Sequence, residues 1–418
     1  MTLTIPTSPA ALSRLTILVL ASTYPRWAGD PEPAFVHELC KYLSLEHRVI
    51  VLCPHAPGAL EKEMFDGVEV VRYRYAPRSW EILVNAGGII NNLRQKPLTA
   101  LLLPGFIFFQ FWGAVRLARL HRVDAIHAHW LIPQGLIAAV VGSLFSRRIP
   151  FVVTSHGADL YALRGWLMGL LKRFVAARAN AITVVSGAMQ SDIVRLKVQL
   201  AKVSIQPMGI DFECRFTPDP AVARSSNEIL FVGRLVEKKG LSYLIDAMPA
   251  ILAARPSACL KIVGFGPEEI PLRERVRRMR LSQVHFMGAV QQADLPTLYR
   301  RAAVFVAPFV RASNGDIEGL GLVVGEAIGC HCPVVAGDVP AVKDVIAEGE
   351  GRVVSPLDTA ALANAIVEIL ENPKPALDSV TKARLRLMQQ LSWPVVAAGY
   401  SKLLRKICGA TNSIAVKR

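Results

Sequence analysis

Short apolar runs alternate with amphipathic stretches along nearly the whole chain, and this alternation limits the possible folds more than any other feature. LTILVLAS, HRVIVLCP, GVEVVRY, DAIHAHW, IPFVVTSH and AITVVS each have the length and composition of a buried strand. Helix-like segments, such as residues 34–45 and 167–177, lie between most of them. Strands separated by helices predict an α/β protein whose parallel sheet is covered on both faces.

The same alternation starts again after Asn227, with EILFVGRL, CLKIVGFG, VHFMG, AVFVAPF, CPVVAG and EGRVVSP. Two doubly wound domains in series are therefore predicted. Pro, Gly and Asp cluster in residues 207–220, which is typical of a domain boundary. We expect a first domain over residues 1–210 and a second over 211–391. The last segment, 392–418, has the pattern of an amphipathic helix that could pack back on the first domain or lie on the second, and the sequence alone does not decide between them.

Composition and charge narrow the class of protein. With 418 residues and 52% hydrophobic residues, the chain can bury a large core. Its seven scattered cysteines exclude a disulfide scaffold and favour a reducing cytoplasm. Up to Ile210 there are 22 Lys/Arg against 12 Asp/Glu, which indicates an anionic partner such as phosphate or a membrane surface, unless these cations only form a solvated face. No basic run with interleaved aromatic residues is present, so we expect no nucleic-acid partner.

Two uncharged stretches reach the length of a membrane span, residues 97–115 and, apart from two histidines, residues 125–146. Both contain Pro, Gly and polar residues, so we expect a buried helix or a surface that touches a bilayer rather than a span. Residues 15–21 lack a signal-peptide cleavage site and instead predict a first buried strand.

Ligands of doubly wound sheets bind at the carboxyl ends of the strands, so the cleft between two such domains is the default active site. FVGRLVEKKG places Arg234 at the end of a predicted strand and Lys239 just before the next helix. Two cations there could hold a diphosphate. The alternative is that both are surface cations on a loop.

The stretch RASNGDIEGLGLVVGEAIG, residues 311–329, is a glycine-rich turn that leads into a predicted helix. Glu318 and Glu326 are separated by seven residues, and backbone N–H groups of such a turn suit a phosphate or a sugar hydroxyl. The alternative is a structural turn whose acidic residues cap the helix.

Two loops of the first half are weaker candidates. TSHGADLY places His156 at a strand end, followed by Gly157, although a lone histidine is more often structural. Gly29 and Asp30 follow the first strand and could line the cleft.

Other motifs are absent or incomplete. VGFGPEE has Gly264 and Gly266 but Glu269 at the third position of the dinucleotide fingerprint, and neither a P-loop nor a GxSxG elbow occurs. Cys330-His331-Cys332 lacks a second ligand pair, so a buried thiol pair is expected there and no metal site.

Taken together and in this order, these motifs resemble the retaining nucleotide-sugar glycosyltransferases of the family-4 group. The matching segments are the Gly29 loop, HGADLY, PMGID, GRLVEKKG, VGFGPE, EGLGLVVGE and CPVVAGDVPAVKDVI. The resemblance implies the GT-B fold, in which two Rossmann-like domains face each other across a cleft. More narrowly, HAHWLIPQG and SNGDIEGLGL are similar to bacterial enzymes that build exopolysaccharide and other surface glycans.

The resemblance also implies a role for each motif residue. Arg234 and Lys239 would hold the donor diphosphate, Glu326 the ribose, and Glu318 would lie by the donor sugar. His156 would contact the donor sugar from across the cleft, and the amides of Gly319, Leu320 and Gly321 would lie near the sugar and phosphate. The base would lie against the backbone near Gly264 and Gly288. Gly29 and Asp30 would line the donor and acceptor side of the cleft.

The implied reaction is hexosyl transfer with retention and without a metal or another cofactor, because the two cations take the electrostatic role of a divalent ion. The implied partners are a nucleotide-sugar donor and a glycan or polyprenyl-linked acceptor, handled in the cytoplasm at the inner face of the membrane. Two alternatives stay open: a sugar-nucleotide epimerase of the same fold, and a catalytically silent subunit of a glycan-assembly complex.

Overall fold

The computed structural model describes residues 13–30, 32–84, 88–161 and 163–415. It contains two α/β domains, each built on one sheet that is parallel except at one edge of the first, which confirms the predicted fold class. The outer ends of the expected first domain and last segment, residues 1–12 and 416–418, lie outside the described residues.

The first sheet has eight strands in the order β3-β4-β2-β1-β5-β6-β7-β8. They are β1 (Thr16–Leu20), β2 (Arg48–Pro54), β3 (Lys62–Phe65), β4 (Val68–Tyr73), β5 (Ala125–His129), β6 (Phe151–Ser155), β7 (Ala181–Val184) and β8 (Val203–Ile205). The central strand β1 pairs in parallel with β2 and β5, so that Val19 lies between Val51 and His127. Residues Ile17 to Leu20 have no exposed surface, as expected for a strand covered on both faces.

The second sheet has six parallel strands in the order β11-β10-β9-β12-β13-β14. They are β9 (Glu228–Val232), β10 (Cys259–Val263), β11 (Val284–Gly288), β12 (Val304–Ala307), β13 (Val334–Gly337) and β14 (Arg352–Val354). All twelve apolar runs singled out in the sequence are strands. The sequence pattern did not indicate β3, an antiparallel edge strand, or the three-residue β8.

Helices cover the sheets and connect the strands. They are α1 (Phe35–Ser44), α2 (Ile89–Gln95), α3 (Leu103–His121), α4 (Leu136–Val141), α5 (Ala158–Tyr161), α6 (Trp166–Arg178), α7 (Gly187–Val194), α8 (Leu241–Ala254), α9 (Glu269–Arg278), α10 (Leu295–Arg301), α11 (Leu322–Gly329), α12 (Thr359–Glu371), α13 (Pro373–Leu391) and α14 (Trp393–Ala415).

The apolar stretch 97–115 forms a 3₁₀ turn and most of α3, which is a surface helix. Phe106 and Gln110 are fully buried on the side of α3 that contacts β1 and β2, whereas Phe108 and Trp112 are 57% and 58% exposed. On length and composition alone Pro97–His121 could cross a membrane, but 28% of its most apolar window is buried inside the protein. The second stretch, 125–146, contains β5 and α4.

The chain crosses between the domains twice, and the two crossings lie side by side. The amide of Ile210 donates to the carbonyl of Leu391 at 2.7 Å, and Ile210 forms a parallel bridge with Ser392. Beyond the second crossing α14 packs against α1 of the first domain. There Trp393 stacks on Tyr42 with 6.2 Å between the ring centroids.

Candidate active site

The carboxyl edges of the two sheets face each other where the loop after β6 meets the loop before α11. A methyl group on Gly319 would lie 3.0 Å from the carbonyl oxygen of His156, and one on Gly157 would lie 3.7 Å from the Cα of Gly319. Glycine at these positions therefore lets the two backbones come this close. The structure brings His156 and the 318–321 loop together, as the motifs predicted.

Lys239 and Glu318 form an ion pair in this cleft. The ammonium lies 2.8 Å from the carboxylate, both side chains are nearly buried, and Lys239 also lies over the ring of Phe309 at 4.6 Å. Burial works against the charged form of Glu318, but Lys239 and Lys238 outweigh it and lower the pKa of the carboxyl to about 2. The two residues thus form one charged unit in the ligand-free protein, which the sequence did not indicate.

The neighbouring side chains fasten the same two loops together. Lys238 lies 3.3 Å from the carboxylate of Asp316. Glu237 accepts hydrogen bonds from the backbone amide and the hydroxyl of Ser313, both at 2.7 Å. Residues 237–239 therefore hold the loop that carries Glu318 in place before any ligand arrives.

Arg234 differs from these residues because its side chain is exposed and forms neither a hydrogen bond nor a salt bridge among the described residues. The carboxylates of Glu32 and Asp316 favour its charged form without a direct contact. It follows β9 directly, at the carboxyl edge of the second sheet. An unpaired guanidinium next to the Lys239–Glu318 pair is available to an anionic ligand.

Glu326 lies one turn into α11 and accepts a hydrogen bond from the hydroxyl of Tyr299 at 3.0 Å. Burial raises the pKa of Glu326 to about 7, against the opposing effect of this hydrogen bond and of the nearby Arg215. Its carboxyl group is therefore poised between its protonated and ionised forms at neutral pH.

Three glycines meet where β9, β10 and β11 end. The amide of Gly264 donates to the carbonyl of Gly288 at 2.8 Å, and a Cβ on Gly264 would lie only 1.9 Å from the carbonyl oxygen of Gly233. Gly264 and Gly288 both have positive φ. The structure thus brings together the two glycines that were expected to lie against the nucleotide base. Because glycine has no side chain, both present only backbone atoms there.

Across the cleft, His156 contacts a second histidine rather than a charged group. Its Nε2 lies 2.9 Å from Nδ1 of His129, with the rings parallel within 12°. Burial lowers the pKa of His156 to about 3, so the ring is neutral at pH 7. Asp159 accepts hydrogen bonds from the amide of Leu131 at 2.7 Å and the hydroxyl of Ser155 at 2.9 Å, which fixes this loop.

Asp30 does not face the cleft as expected. Its carboxylate has no exposed surface and takes a bidentate ion pair from Arg26, together with the backbone amides of Arg26 and Glu32. Burial opposes ionisation, but these hydrogen bonds lower the pKa of Asp30. Asp30 therefore stabilises the conformation of the loop and holds the side chain of Arg26 in place. Gly29 has positive φ, is exposed and has open space where a Cβ would lie.

Two family models match the two halves of the chain. "Glycosyltransferase Family 4" matches residues 34–213, and "Glycosyl transferases group 1" matches residues 226–372. The chain belongs to the family-4 glycosyltransferases. It is a hexosyltransferase with the GT-B fold.

Its relatives differ in what they are named for. A glycogen synthase of Mycobacterium tuberculosis is 26% identical, over 93% of this chain and 94% of its own length. A phosphatidyl-myo-inositol mannosyltransferase of Mycobacterium leprae is 27% identical over 88% and 99%. Among solved structures, a sucrose-phosphate synthase from Thermosynechococcus elongatus superposes with a TM-score of 0.75 at 23% identity, covering 95% of this chain and all of that one.

In this glycosyltransferase, the sequence analysis missed two buried residues that contact predicted site residues. Tyr299 contacts Glu326, and His129 contacts His156, yet each lies 27 residues away from its partner. The alternation of His127 and His129 along one strand was visible, but nothing local indicated which side chain they would meet. Among the described residues no group of three metal-ligating side chains occurs, and Cys330 and Cys332 are buried free thiols.

Proposed function

We propose that this glycosyltransferase moves a hexose from a nucleotide-sugar donor to a lipid-linked glycan acceptor, with retention of configuration and without a metal ion. The observation that carries the proposal is Arg234, an unpaired guanidinium beside the Lys239–Glu318 pair at the carboxyl edge of the second sheet. A diphosphate would neutralise this cation and accept hydrogen bonds from the backbone N–H groups of Gly319 and Leu320, which precede α11. The N–H of Gly321 is directed at the carboxylate of Glu318 instead.

The reaction breaks the bond between the anomeric carbon and the donor phosphate oxygen. The acceptor hydroxyl oxygen forms the new bond on the same side of the sugar, and its proton passes to an oxygen of the departing diphosphate. Arg234 and Lys239 stabilise the negative charge that develops there.

Glu326 and the glycine surface would hold the nucleoside. The carboxyl of Glu326 can accept hydrogen bonds from a ribose diol, and the base can lie against Gly264 and Gly288. Neither element distinguishes one base from another. Similar proteins are named for different nucleotides. Some relatives are GDP-mannose-dependent mannosyltransferases, and the structurally similar Anabaena HepE was solved in complex with UDP-glucose.

The lipid-linked acceptor and a contact with the inner face of the cell membrane are proposed from one face of the first domain. Helices α3 and α6 both pack against α4, and both expose large apolar side chains. On α3 these include Phe108 and Trp112, and on α6 they include Leu170 and Trp166, which is 78% exposed. Exposed apolar surface of this extent is typical of a protein or membrane contact.

The charge of this face favours a bilayer as its partner. Residues 82–191, which include all three helices, contain eleven Lys/Arg but only two Asp/Glu, and one of each, Lys172 and Asp159, is buried. Each cation near an anionic lipid surface contributes about 1 kcal/mol of attraction. Apolar side chains within a basic face match an anionic bilayer, and the mannosyltransferases among the relatives are named for phosphatidylinositol acceptors. We propose that the enzyme serves surface-glycan synthesis there.

The donor site is tested by thermal unfolding with UDP, GDP, ADP and their sugar conjugates in excess EDTA. A nucleotide at 100 times its dissociation constant adds about 2.7 kcal/mol to the unfolding free energy. We expect one base to stabilise the wild type and Arg277→Ala, an exposed cation on α9, but not Arg234→Ala. If no nucleotide stabilises the wild type, the donor site is wrong and the protein is a silent subunit.

The membrane face is tested by sedimentation with vesicles of phosphatidylglycerol or phosphatidylcholine. We expect binding to the anionic vesicles that weakens with salt and falls at least tenfold in Phe108→Ser/Trp112→Ser. Ile270→Ser, which changes an even more exposed apolar residue on the second domain, should bind as the wild type does. Equal binding to both lipids, or none to either, contradicts the proposed contact.

A further inference from the structure

Two histidines on β5 are buried beside the cleft, and each has one ring nitrogen without a partner. His127 Nε2 lies 2.7 Å from the hydroxyl of Thr154, while its Nδ1 is buried and unpaired among the described residues. His129 Nδ1 lies 2.9 Å from His156 Nε2, while its Nε2 is likewise buried without a partner in that part of the chain.

The unpaired nitrogens decide where the protons lie. A neutral imidazole carries one N–H and one lone pair. A buried N–H without an acceptor is rarer and costlier than a lone pair without a donor. The proton of His129 therefore lies on Nδ1, and that of His127 on Nε2, where it is donated to Thr154. Thr154 can then donate in turn to Thr183, 2.6 Å away.

We infer that His129 is a positioning residue that fixes the tautomer of His156. Because His129 Nδ1–H donates to His156 Nε2, that nitrogen is an acceptor and His156 must carry its own proton on Nδ1. Nδ1 of His156 makes no hydrogen bond with another described residue and is not among the buried unpaired atoms. His156 thus presents a neutral hydrogen-bond donor to the cleft, matched to an oxygen of the ligand.

All three imidazole rings are neutral, so His129 determines the tautomer of His156 and not its charge. Burial lowers the pKa of His127 and of His156 to about 3, and it lowers that of His129 well below the ordinary value. The surrounding side chains keep His156 in place, since Phe35 and Trp130 lie against its ring at 4.9 and 5.1 Å between centroids.

The consequence for the ligand, unlike the tautomer itself, rests on the proposed function. A sugar hydroxyl oxygen that accepts from His156 Nδ1–H would be selected over a sugar that lacks it, because the donor would be left unpaired. His129 would then determine affinity for the sugar without touching it, and leave affinity for the nucleoside diphosphate unchanged.

The tautomer is measured by NMR of the ligand-free protein labelled with ¹⁵N only in its nine histidines. His156→Gln identifies the signals of His156. We expect the wild-type spectrum to show His156 protonated on Nδ1. Protonation on Nε2 overturns the inference, and this wild-type measurement decides it even if no variant of His129 folds.

Two variants of His129 separate positioning from packing. His129→Asn retains an N–H near the position of Nδ1, whereas His129→Leu has similar volume and no donor. We expect His129→Leu to shift His156 toward Nε2–H and to bind the nucleotide sugar about fivefold more weakly, with unchanged binding of the nucleoside diphosphate and recovery in His129→Asn.

Equal losses for both ligands in both variants would instead show that His129 only packs the loop. Protonation on Nδ1 together with no nucleotide-sugar binding would overturn the proposed function and leave the tautomer inference standing.

Discussion

The facing edges of the two sheets are built from opposite electrostatics. The edge of the second domain is ionic: Lys239 is paired with Glu318, Lys238 with Asp316, and Arg234 remains unpaired among the described residues. Beside the site, the edge of the first domain is neutral, with His156 stacked on His129 and both kept unprotonated by burial. The cation of the same loop, Arg164, lies against Gly315 instead.

This difference fits a ligand with two unlike ends. A nucleoside diphosphate needs a free cation and N–H groups, and the second domain offers the guanidinium of Arg234 and the backbone amides before α11. An uncharged sugar needs directional hydrogen bonds, which neutral imidazoles provide without attracting other anions. Each domain thus matches one end of a nucleotide sugar, and the comparison can be tested by disturbing each edge in turn.

The largest effect is expected from Lys239→Ala. Removing the ammonium abolishes charge stabilisation of the leaving group, so we expect kcat/KM to fall about 10³-fold. It also leaves Glu318 buried without its partner, which costs about 3 kcal/mol of unfolding free energy. The measurements are steady-state kinetics and urea unfolding.

The matched control for this substitution is Lys239→Ala/Glu318→Gln, which removes both charges. We expect it to recover most of the stability and none of the activity. Recovery of activity as well would mean that the pair is structural, and that the ionic edge does not bind the donor through Lys239.

A smaller effect, mainly on stability, is expected at the neutral edge from Asp159→Asn. The amide cannot accept from Leu131, Ser155 and the amide of His156 at once, so we expect a loss of about 2 kcal/mol of unfolding free energy. Because this loop carries His156, KM for the nucleotide sugar should rise while affinity for the nucleoside diphosphate holds. A fall in nucleoside diphosphate affinity would show that the two edges are not separate.

The pH dependence of donor binding sharpens the comparison further. With a pKa of about 7, Glu326 is about ten times more ionised at pH 8 than at pH 6. Since the ionised carboxylate is the better acceptor for ribose hydroxyls, nucleotide-sugar affinity should rise up to about tenfold over this interval by calorimetry.

Two variants test the assignment of this pH dependence. Glu326→Gln should bind with a flat profile. Tyr299→Phe removes a hydrogen bond that lowers the pKa, so its midpoint should move to higher pH. An unchanged slope in Glu326→Gln would assign the titration to another group.

The smallest effect is expected from metal removal. Because the ionic edge supplies its own cations, EDTA should change the initial rate by less than about twofold. A rate that collapses with EDTA and returns with Mg²⁺ would show that Arg234 and Lys239 do not suffice for the diphosphate.

The sequence predicted the ionic edge better than the neutral one. Arg234, Lys239 and Glu318 lie in the segments that follow strong strand signals, and Glu326 lies in the helix α11, so the chemistry is local to each motif. Their pairing is not local, because Lys239 and Glu318 are far apart in the chain and meet only when β9 and β12 lie side by side.

The neutral edge could not be predicted because its chemistry arises from burial and from contacts between strands. His129 meets His156 through the pairing of β5 with β6, and no motif records that register. Asp30 was misplaced for a related reason, since an acidic residue in a loop indicates exposure until its partner Arg26 is known. The edge strand β3 was missed because KEMF has neither an apolar run nor alternation, and its pairing with β4 defines it.

The return of α14 to the first domain also has a mechanical meaning. Both described ends of the chain belong to the first domain, so the second domain is inserted into the first. Two segments of the chain, at Ile210 and at Ser392, therefore connect the domains, and we call these segments the straps. Gly209 and Trp393 belong to different straps, and a methyl group on Gly209 would lie 2.4 Å from the indole ring. Because the two crossings lie in such contact, we expect any opening of the cleft to be a rotation about the line that they share.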